Sequence, residues 1–315
     1  MHPQAAIPSP THSVWHLGPL PLRGYALCIV AGIILAVWLT DRRWRQRGGD
    51  SGDVADVAGW AIVFGILGGR IYHVITDPEL YFKHGEDAVN ALKIWDGGLG
   101  IPGAIALGTL GAWIGCRRHG MKLSSFGDAA VPGVAFAQAL GRWGNWFNNE
   151  LYGRATTLPW KLQIHQIDVE SGNPTRDATG KPIVLGYFQP TFLYESLWDA
   201  GLAVLLLVID RRYKIGRGRL FALYAMGYAV GRFWVELLRS DHANHIFGQR
   251  VNTWIMLFVF LGGLAWLLTH RGPREESVRT RPGKHTPDQP ADEPAPDTGE
   301  DADQPDEADS EAVAE

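Results

Sequence analysis

Cysteine is scarce in this sequence. The 315 residues include two cysteines, Cys28 and Cys116, which are too few for a disulfide framework or a structural zinc site. The chain also lacks a Walker A string, a Gly-x-Ser-x-Gly elbow and a His-Glu-x-x-His motif, and its histidines show no metal-ligand spacing. These absences argue against P-loop nucleotide hydrolysis, serine-hydrolase chemistry and zinc proteolysis. We expect no metal and no cofactor.

Negative charge is concentrated at one end of the chain. Residues 272–315 contain 14 Asp or Glu and four Lys or Arg, a net charge of −10, and none of the 13 Trp. The whole chain carries −4, so residues 1–271 carry +6. The acidic segment contains several prolines and has no apolar period, a composition typical of disorder. We therefore expect a disordered acidic tail over residues 272–315.

Long apolar runs fill the rest of the chain. Three contain no charged residue and approach the roughly 20 residues that a membrane-crossing helix needs: residues 24–40, 97–116 and 251–269. Four more are interrupted by charges: residues 56–75, 128–146, 191–209 and 220–238. Three charge-free runs are unusual in a soluble fold, so the sequence predicts an all-α polytopic membrane protein whose residues 22–271 form seven transmembrane helices.

Lysine and arginine predict the orientation of these helices. Of the 29 Lys and Arg, 17 lie in short segments that would share one side of the membrane: residues 41–53, 117–122, 211–219 and 271–284. The positive-inside rule makes that side cytoplasmic, with the N-terminus outside and the tail inside. Residues 1–21 and 147–190 would then lie outside, the latter as a small cap with strands at residues 162–169 and 183–188.

Charged residues inside apolar runs usually face the interior of a helix bundle or a wet cavity. Six such residues interrupt the runs: Arg70, Arg142, Glu195, Asp199, Arg232 and Glu236. The densest polar string is GRWGNWFNNELYGR at residues 141–154. If its helix continues, Arg142, Asn145 and Asn149 share one face and suit a phosphate. The alternative is that Arg142 snorkels to lipid head groups. Close approach of a neighbouring backbone or a ligand is expected at two glycines, Gly141 and Gly144.

A second polar stripe, at i, i+4, i+8 and i+11, consists of Tyr228, Arg232, Glu236 and Arg239. Arg232 and Glu236 could simply neutralise each other. However, arginines at similar depth on separate helices, Arg142 and Arg232, indicate a buried anion site. Two further side chains are expected near it: Arg70, on the second predicted helix, and Tyr25, at the outer end of the first.

These residues alone leave three classes open: a lipid-using transferase, a lipid flippase and an anion transporter. Each would bind an anionic lipid head group, and none implies a nucleic-acid partner. Asp128, at the start of the fourth predicted helix, is expected to serve as that helix's N-cap.

The string at residues 141–153 resembles the signature of the bacterial prolipoprotein diacylglyceryl transferases, roughly G-R-x-G-N-F-x-N-x-E-x-x-G. The resemblance runs from about residue 25 to residue 268 and includes five other strings: RGY at 23–25, LGGR at 67–70, WDGG at 95–98, PTFLYE at 190–195 and GRFWVELLR at 231–239. It implies an enzyme of the bacterial plasma membrane that transfers the diacylglyceryl group of phosphatidylglycerol to the lipobox cysteine of a preprolipoprotein. A thioether forms and glycerol phosphate leaves.

The resemblance also implies residue roles. Arg142 and Arg232 would hold the lipid phosphate and then the leaving phosphate. Catalytic support is expected from Tyr25, Glu150 and Glu236. Substrate contacts are expected from Asn145, Asn148, Gly153, Arg70, Tyr228, Arg239 and Tyr194. Structural roles are expected for Asp128, Gly141 and Gly144.

Two positions depart from the family pattern. The family usually has histidine where this chain has Pro102, and often where it has Gln189, so no histidine base is available at either place. Reaching the thiolate of a thiol with a pKa of about 8.5 costs roughly 2 kcal/mol at pH 7. The sequence therefore predicts that Arg142 and Arg232 activate the thiol electrostatically.

Overall fold

The computed structural model describes residues 6–18, 20–83, 87–94, 97–168, 172–239, 245–246 and 248–275. Almost all of the expected disordered tail, from residue 276 onward, lies outside these ranges. The described part contains seven helices of 18 or more residues: α1 Gly24–Gln46, α2 Asp53–Thr76, α3 Ile101–Arg118, α4 Leu123–Asn148, α5 Thr191–Tyr213, α6 Arg219–Leu238 and α7 Val251–Thr269. Each coincides with one predicted apolar run.

Four of these helices, α1, α2, α5 and α7, are long and apolar enough to cross a membrane. Their outer faces are apolar: Ile34 on α1 is 63% exposed and Phe258 on α7 is 68% exposed. The charged Glu195 and Glu236 are instead buried. An apolar exterior around a charged interior is the distribution that lipid solvent requires, so the chain is a membrane protein. Helices α3, α4 and α6 are not among these four.

Glycine lets the helix backbones touch. A Cβ atom at Gly68 of α2 would overlap the carbonyl oxygen of Gly103 on α3. On the α1–α4 pair, a Cβ at Gly133 would lie 2.8 Å from the carbonyl oxygen of Ala36. Lipid provides no hydrophobic driving force between helices, so close packing of small residues stabilises such pairs.

The basic segments meet at one end of the bundle. Asp210, near the end of α5, lies 3.1 Å from Nη2 of Arg43 and 3.0 Å from Nη2 of Arg47, which follows α1. Arg274, beyond α7, pairs with the same carboxylate. Three segments that the sequence assigns to the cytoplasmic side are thus joined by one carboxylate.

Asp128 caps a helix other than its own. Its carboxylate accepts hydrogen bonds from the backbone N–H of Gly218 and of Phe221, both at 2.9 Å, at the start of α6. The expectation that Asp128 serves as the N-cap of α4 is wrong, because α4 begins at Leu123. Asp128 therefore lies in the second turn of its own helix and satisfies the free N–H groups of a neighbour.

The cap at the opposite end contains short strands. Strand β4, Leu162–His165, pairs antiparallel with β5, Val184–Phe188, which confirms both predicted strands with shorter bounds. The N-terminal segment adds a parallel strand, β1 at Ile7–Pro8, and the hairpin of β2 and β3 at Val14–Leu17 and Leu20–Arg23. A final hairpin, β6 and β7, precedes α7 at His245–Ile246 and Gln249–Arg250.

Candidate active site

Glu195 joins two arginines from different helices. Its Oε2 atom lies 3.2 Å from Nε of Arg142, and its Oε1 atom lies 2.5 Å from Nη1 of Arg232. The three side chains come from α5, α4 and α6, and all are largely buried. The structure therefore brings the two predicted arginines together. Sequence reasoning assigned no site role to Glu195, although a charge that interrupts an apolar run was the available signal.

Glu236 supports Arg232 from the next turn of α6. Nη2 of Arg232 lies 3.3 Å from Oε2 of Glu236. Oε1 of Glu236 also lies 3.0 Å from Nε of Arg250 and accepts a hydrogen bond from the Asn252 amide at 3.2 Å. These contacts join α6 to the start of α7. The predicted i, i+4 pairing of Arg232 and Glu236 is thus one part of a larger buried network, which limits how far Arg232 can move.

A small cavity lies beside this ion-pair cluster. Its polar and aromatic lining includes Arg142, Glu195, Trp198, Asp199, Tyr228 and Arg232. Two guanidinium groups therefore face two carboxylates, and the cavity has no excess of positive charge. Asp199 is 3% exposed, and its Oδ2 atom has no hydrogen-bond partner within the described part of the chain. Sequence reasoning assigned no site role to Asp199.

The polar string changes direction after α4. The helix ends at Asn148, and Asn149 takes the left-handed conformation, with φ of 53°. The expectation that Asn149 shares a helix face with Arg142 and Asn145 is therefore wrong, because the helix ends before Asn149. The Asn149 side chain instead donates to the carbonyl oxygen of Pro10 at 3.1 Å, which fixes the N-terminal segment to the end of α4.

Glu150 is held by two amides of the same string. Its Oε1 atom accepts hydrogen bonds from Nδ2 of Asn145 at 3.2 Å and Nδ2 of Asn148 at 3.1 Å. Asn145 is buried, whereas Asn148 is exposed. The two asparagines therefore orient Glu150, which lies within electrostatic reach of the Tyr25 hydroxyl, as does Arg142.

Of Gly141 and Gly144, only Gly144 closely approaches a described neighbour. A Cβ atom at Gly144 would lie 2.7 Å from the Tyr25 ring, so α4 and the start of α1 meet there. A Cβ at Gly141 would have no described atom within 4 Å. The expectation of close approach is confirmed at Gly144. No described neighbour approaches Gly141, which borders open space, so close approach of a ligand there stays a prediction.

Gly153 lies where three segments converge. Its N–H donates to the carbonyl oxygen of Gln189 at 3.0 Å, and it forms an isolated bridge with Arg239 at the end of α6. A Cβ at Gly153 would lie 2.7 Å from Cβ of Gln189. Gly153 therefore sets the spacing between the cap and the outer ends of α5 and α6. Arg239 is buried at this junction and not among the residues that line the cavity.

The structure places Arg70 outside the cavity. Its guanidinium donates to the carbonyl oxygens of Ala91, Gly97 and Gly98 at 2.8, 2.6 and 3.1 Å, and also to that of Asn90. It also lies over the ring of Tyr81. Arg70 thus organises the loop between α2 and α3, and the expectation that it contacts the substrate has no support in these contacts.

Tyr194, in the first turn of α5, contacts the cap. Its hydroxyl donates to Oε1 of Gln189 at 2.9 Å and accepts from Nε1 of Trp160 at 2.7 Å. Pro102 is the second residue of α3 and is not part of the cavity lining. Within the described residues, no group of three or more His, Cys, Asp or Glu side chains is arranged to hold a metal ion.

The chain is similar to known proteins over most of its length. A family model described as prolipoprotein diacylglyceryl transferase matches residues 12–269. A phosphatidylglycerol–prolipoprotein diacylglyceryl transferase of Paenarthrobacter aurescens is 57% identical over 273 residues, 86% of this chain and 86% of that protein. One from Streptomyces coelicolor is 53% identical over 300 residues, covering 95% and 82%. A third, from Mycolicibacterium paratuberculosis, is 51% identical over 291 residues, covering 91% and 68%.

Proposed function

The chain belongs to the prolipoprotein diacylglyceryl transferase family, and from that premise we propose its reaction and its residue roles. It is a transferase that moves the diacylglyceryl group of phosphatidylglycerol to a prolipoprotein, the first step of lipoprotein maturation. The acceptor is the thiol of a lipobox cysteine in a preprolipoprotein signal peptide. A carbon–sulfur bond forms, the carbon–oxygen bond to the phosphate breaks, and glycerol phosphate leaves.

Arg142 and Arg232 hold the phosphate in this proposal. The observation that carries it is their meeting at Glu195, because two guanidinium groups that converge on one carboxylate are also placed to hold a phosphate. As the phosphate leaves, negative charge grows on its oxygens. A preorganised donor aimed at such charge contributes about 3–4 kcal/mol in a site from which water is excluded.

The surrounding residues orient these arginines and the substrate. Glu195 holds both guanidinium groups, and Glu236 holds that of Arg232 a second time. Asn145 and Asn148 hold Glu150 within electrostatic reach of the Tyr25 hydroxyl. Tyr228 lines the cavity beside Arg232. Asp128 and Gly153 act indirectly, since they position α6 and the outer junction.

The membrane arrangement follows the same proposal. All seven long helices cross the plasma membrane of a bacterium, with the cap and the N-terminus outside and residues 272–315 inside. The joined basic segments around Asp210 lie at the end opposite the cap, as the positive-inside rule requires. Phosphatidylglycerol and the signal peptide then both reach the cavity from within the lipid.

The test uses the purified full-length protein in detergent, phosphatidylglycerol and a synthetic lipobox peptide. We expect the peptide cysteine to gain one diacylglyceryl group by mass spectrometry. Replacement of Arg142→Ala or Arg232→Ala should abolish the gain, whereas Arg212→Ala, at the opposite end of α5, should not. Release of glycerol phosphate without peptide would indicate hydrolysis instead. A near-normal rate for Arg232→Ala would contradict the assigned role.

A further inference from the structure

One carboxylate oxygen in the cavity lacks a partner. Asp199 is 3% exposed, and its Oδ2 atom accepts no hydrogen bond from any described residue. A buried polar atom without a partner destabilises the folded protein, and a charged one does so more strongly. Buried polar atoms are nearly always satisfied, so an exception in a cavity calls for a physical explanation. A ligand that donates a hydrogen to Oδ2 would supply one.

The other carboxylates of the site are already engaged. Glu195 binds the guanidinium groups of Arg142 and Arg232, and Glu236 binds that of Arg232, that of Arg250 and an amide. Glu150 accepts hydrogen bonds from two amides. Asp199 follows Glu195 by one helical turn on α5, so both face the same cavity. Oε2 of Glu236 also accepts no hydrogen bond from a described residue, but it is ion-paired with Arg232 and Glu236 does not line the cavity. Of these four carboxylates, Asp199 is therefore the one that lines the cavity without an ion pair and can receive a proton from a substrate there.

The charge of the cavity also calls for a proton acceptor. Arg142 and Arg232 share Glu195, which offsets the positive potential that would stabilise a thiolate. Electrostatic activation alone then leaves much of the roughly 2 kcal/mol cost of ionising a thiol at pH 7. A carboxylate within reach removes that cost by taking the proton as the sulfur attacks.

We propose that Asp199 is the general base that accepts the proton of the lipobox cysteine thiol. This assignment rests on the function proposed above. The sulfur, as it loses its proton to Asp199, forms a bond to the glyceryl carbon next to the phosphate. The electron pair of the breaking carbon–oxygen bond leaves with glycerol phosphate, held by the two arginines. The proton then passes from Asp199 to a phosphate oxygen, which restores the carboxylate.

Five titratable or charged side chains of α4, α5 and α6 face Asp199 across the cavity or interact with it electrostatically: Arg142, Glu195, Tyr224, Tyr228 and Arg232. None of them changes in the test variants. Any change in the pH dependence of the rate can therefore be assigned to Asp199 or to the thiol of the substrate.

The experiment compares Asp199→Asn with Asp199→Glu in the peptide assay, between pH 6 and pH 9. Asp177→Asn, an exposed cap variant, is the control. We expect Asp199→Asn to lower kcat/KM about 30-fold at pH 7, the fold-change that corresponds to ionising a thiol with a pKa of about 8.5 without a base. Its rate should rise about tenfold per pH unit until the thiol ionises by itself near pH 8.5. Asp199→Glu should retain most activity.

A peptide with selenocysteine in place of cysteine provides the second measurement. Its selenol is ionised at neutral pH, so it needs no base, and the deficit of Asp199→Asn should shrink to less than tenfold. If Asp199→Asn does not fold, as judged by thermal unfolding, Asp199→Glu decides: its pH profile should shift for the cysteine peptide and not for the selenocysteine peptide.

Three results for Asp199→Asn would overturn the assignment. They are a smaller loss of kcat/KM than expected, a pH profile parallel to that of the wild type, and an equal loss of rate with the cysteine and selenocysteine peptides. For Asp199→Glu, an unshifted profile with the cysteine peptide would do the same. Failure of the wild-type protein to form any thioether would instead reject the proposed function itself.

Discussion

Nη1 of Arg232 on α6 lies 2.5 Å from Oε1 of Glu195 on α5. Glu195 contacts Arg142 with its other oxygen, so one carboxylate stands between the two groups proposed to hold the lipid phosphate. When phosphatidylglycerol binds, its phosphate must therefore either share the two arginines with the Glu195 carboxylate or replace it. Before the lipid arrives, Glu195 keeps the arginines in place.

Removal of Glu195 should be costly for stability. Glu195→Ala leaves two buried guanidinium groups without this partner, and breaking a buried pair in this way costs about 3–5 kcal/mol. We expect a lower thermal midpoint in detergent and a transfer rate reduced at least tenfold. Glu195→Gln keeps the volume and should lose less stability. The exposed variant Glu79→Gln is the control, and equal behaviour of Glu79→Gln and Glu195→Gln would contradict the role.

The glycine pair in the polar string offers a matched comparison. Gly144→Ala places a Cβ 2.7 Å from the Tyr25 ring, which must move away from Glu150 and Arg142. We expect a lower transfer rate and a lower thermal midpoint. Gly141→Ala meets no described atom and should stabilise α4 by up to about 1 kcal/mol, since alanine favours helix. Equal effects of both variants on the rate would show that Tyr25 does not need its present position.

The cross-helix cap can be tested at Asp128. Asp128→Ala removes the acceptor for two backbone N–H groups at the start of α6. Loss of a cap costs about 0.5–2 kcal/mol. We expect a lower thermal midpoint with a nearly normal rate at low temperature. Asp128→Asn retains one acceptor oxygen, so its thermal midpoint should lie between those of Asp128→Ala and the wild type. A rate lost without any change in thermal midpoint would assign Asp128 to the chemistry instead.

A variant of Arg70 can show whether this side chain holds the loop between α2 and α3 or contacts the lipid substrate. Arg70→Lys keeps the positive charge, but a single ammonium group cannot donate to the four carbonyl oxygens that the planar guanidinium of Arg70 reaches. We expect faster proteolysis of the loop between α2 and α3, because this loop depends on those hydrogen bonds. The KM for phosphatidylglycerol should change less than threefold. An increase in KM with normal protease resistance would instead support a direct contact with the lipid.

Much of the fold is predictable from the sequence because its signals are local. A run of apolar residues reveals a membrane-length helix without any knowledge of its neighbours, and all seven long helices of the described chain coincide with such runs. The concentration of Lys and Arg in a few short segments between the apolar runs is likewise visible without knowledge of the fold. Arg142 and Arg232 stand out for the same reason, because a charge inside an apolar run is visible in one dimension.

Partner choice is decided only by the tertiary structure. Asp128 lies 90 residues from Gly218, and nothing in the sequence near Asp128 says which helix its carboxylate will cap. Arg70 and Arg142 look alike as intramembrane arginines, yet packing directs Arg70 to backbone carbonyls and Arg142 to Glu195. The physical reason is that neutralising a buried charge depends on which distant helices are adjacent. The sequence alone determined that buried charges exist, and the packing of the helices decided which of them are satisfied and that Oδ2 of Asp199 is not.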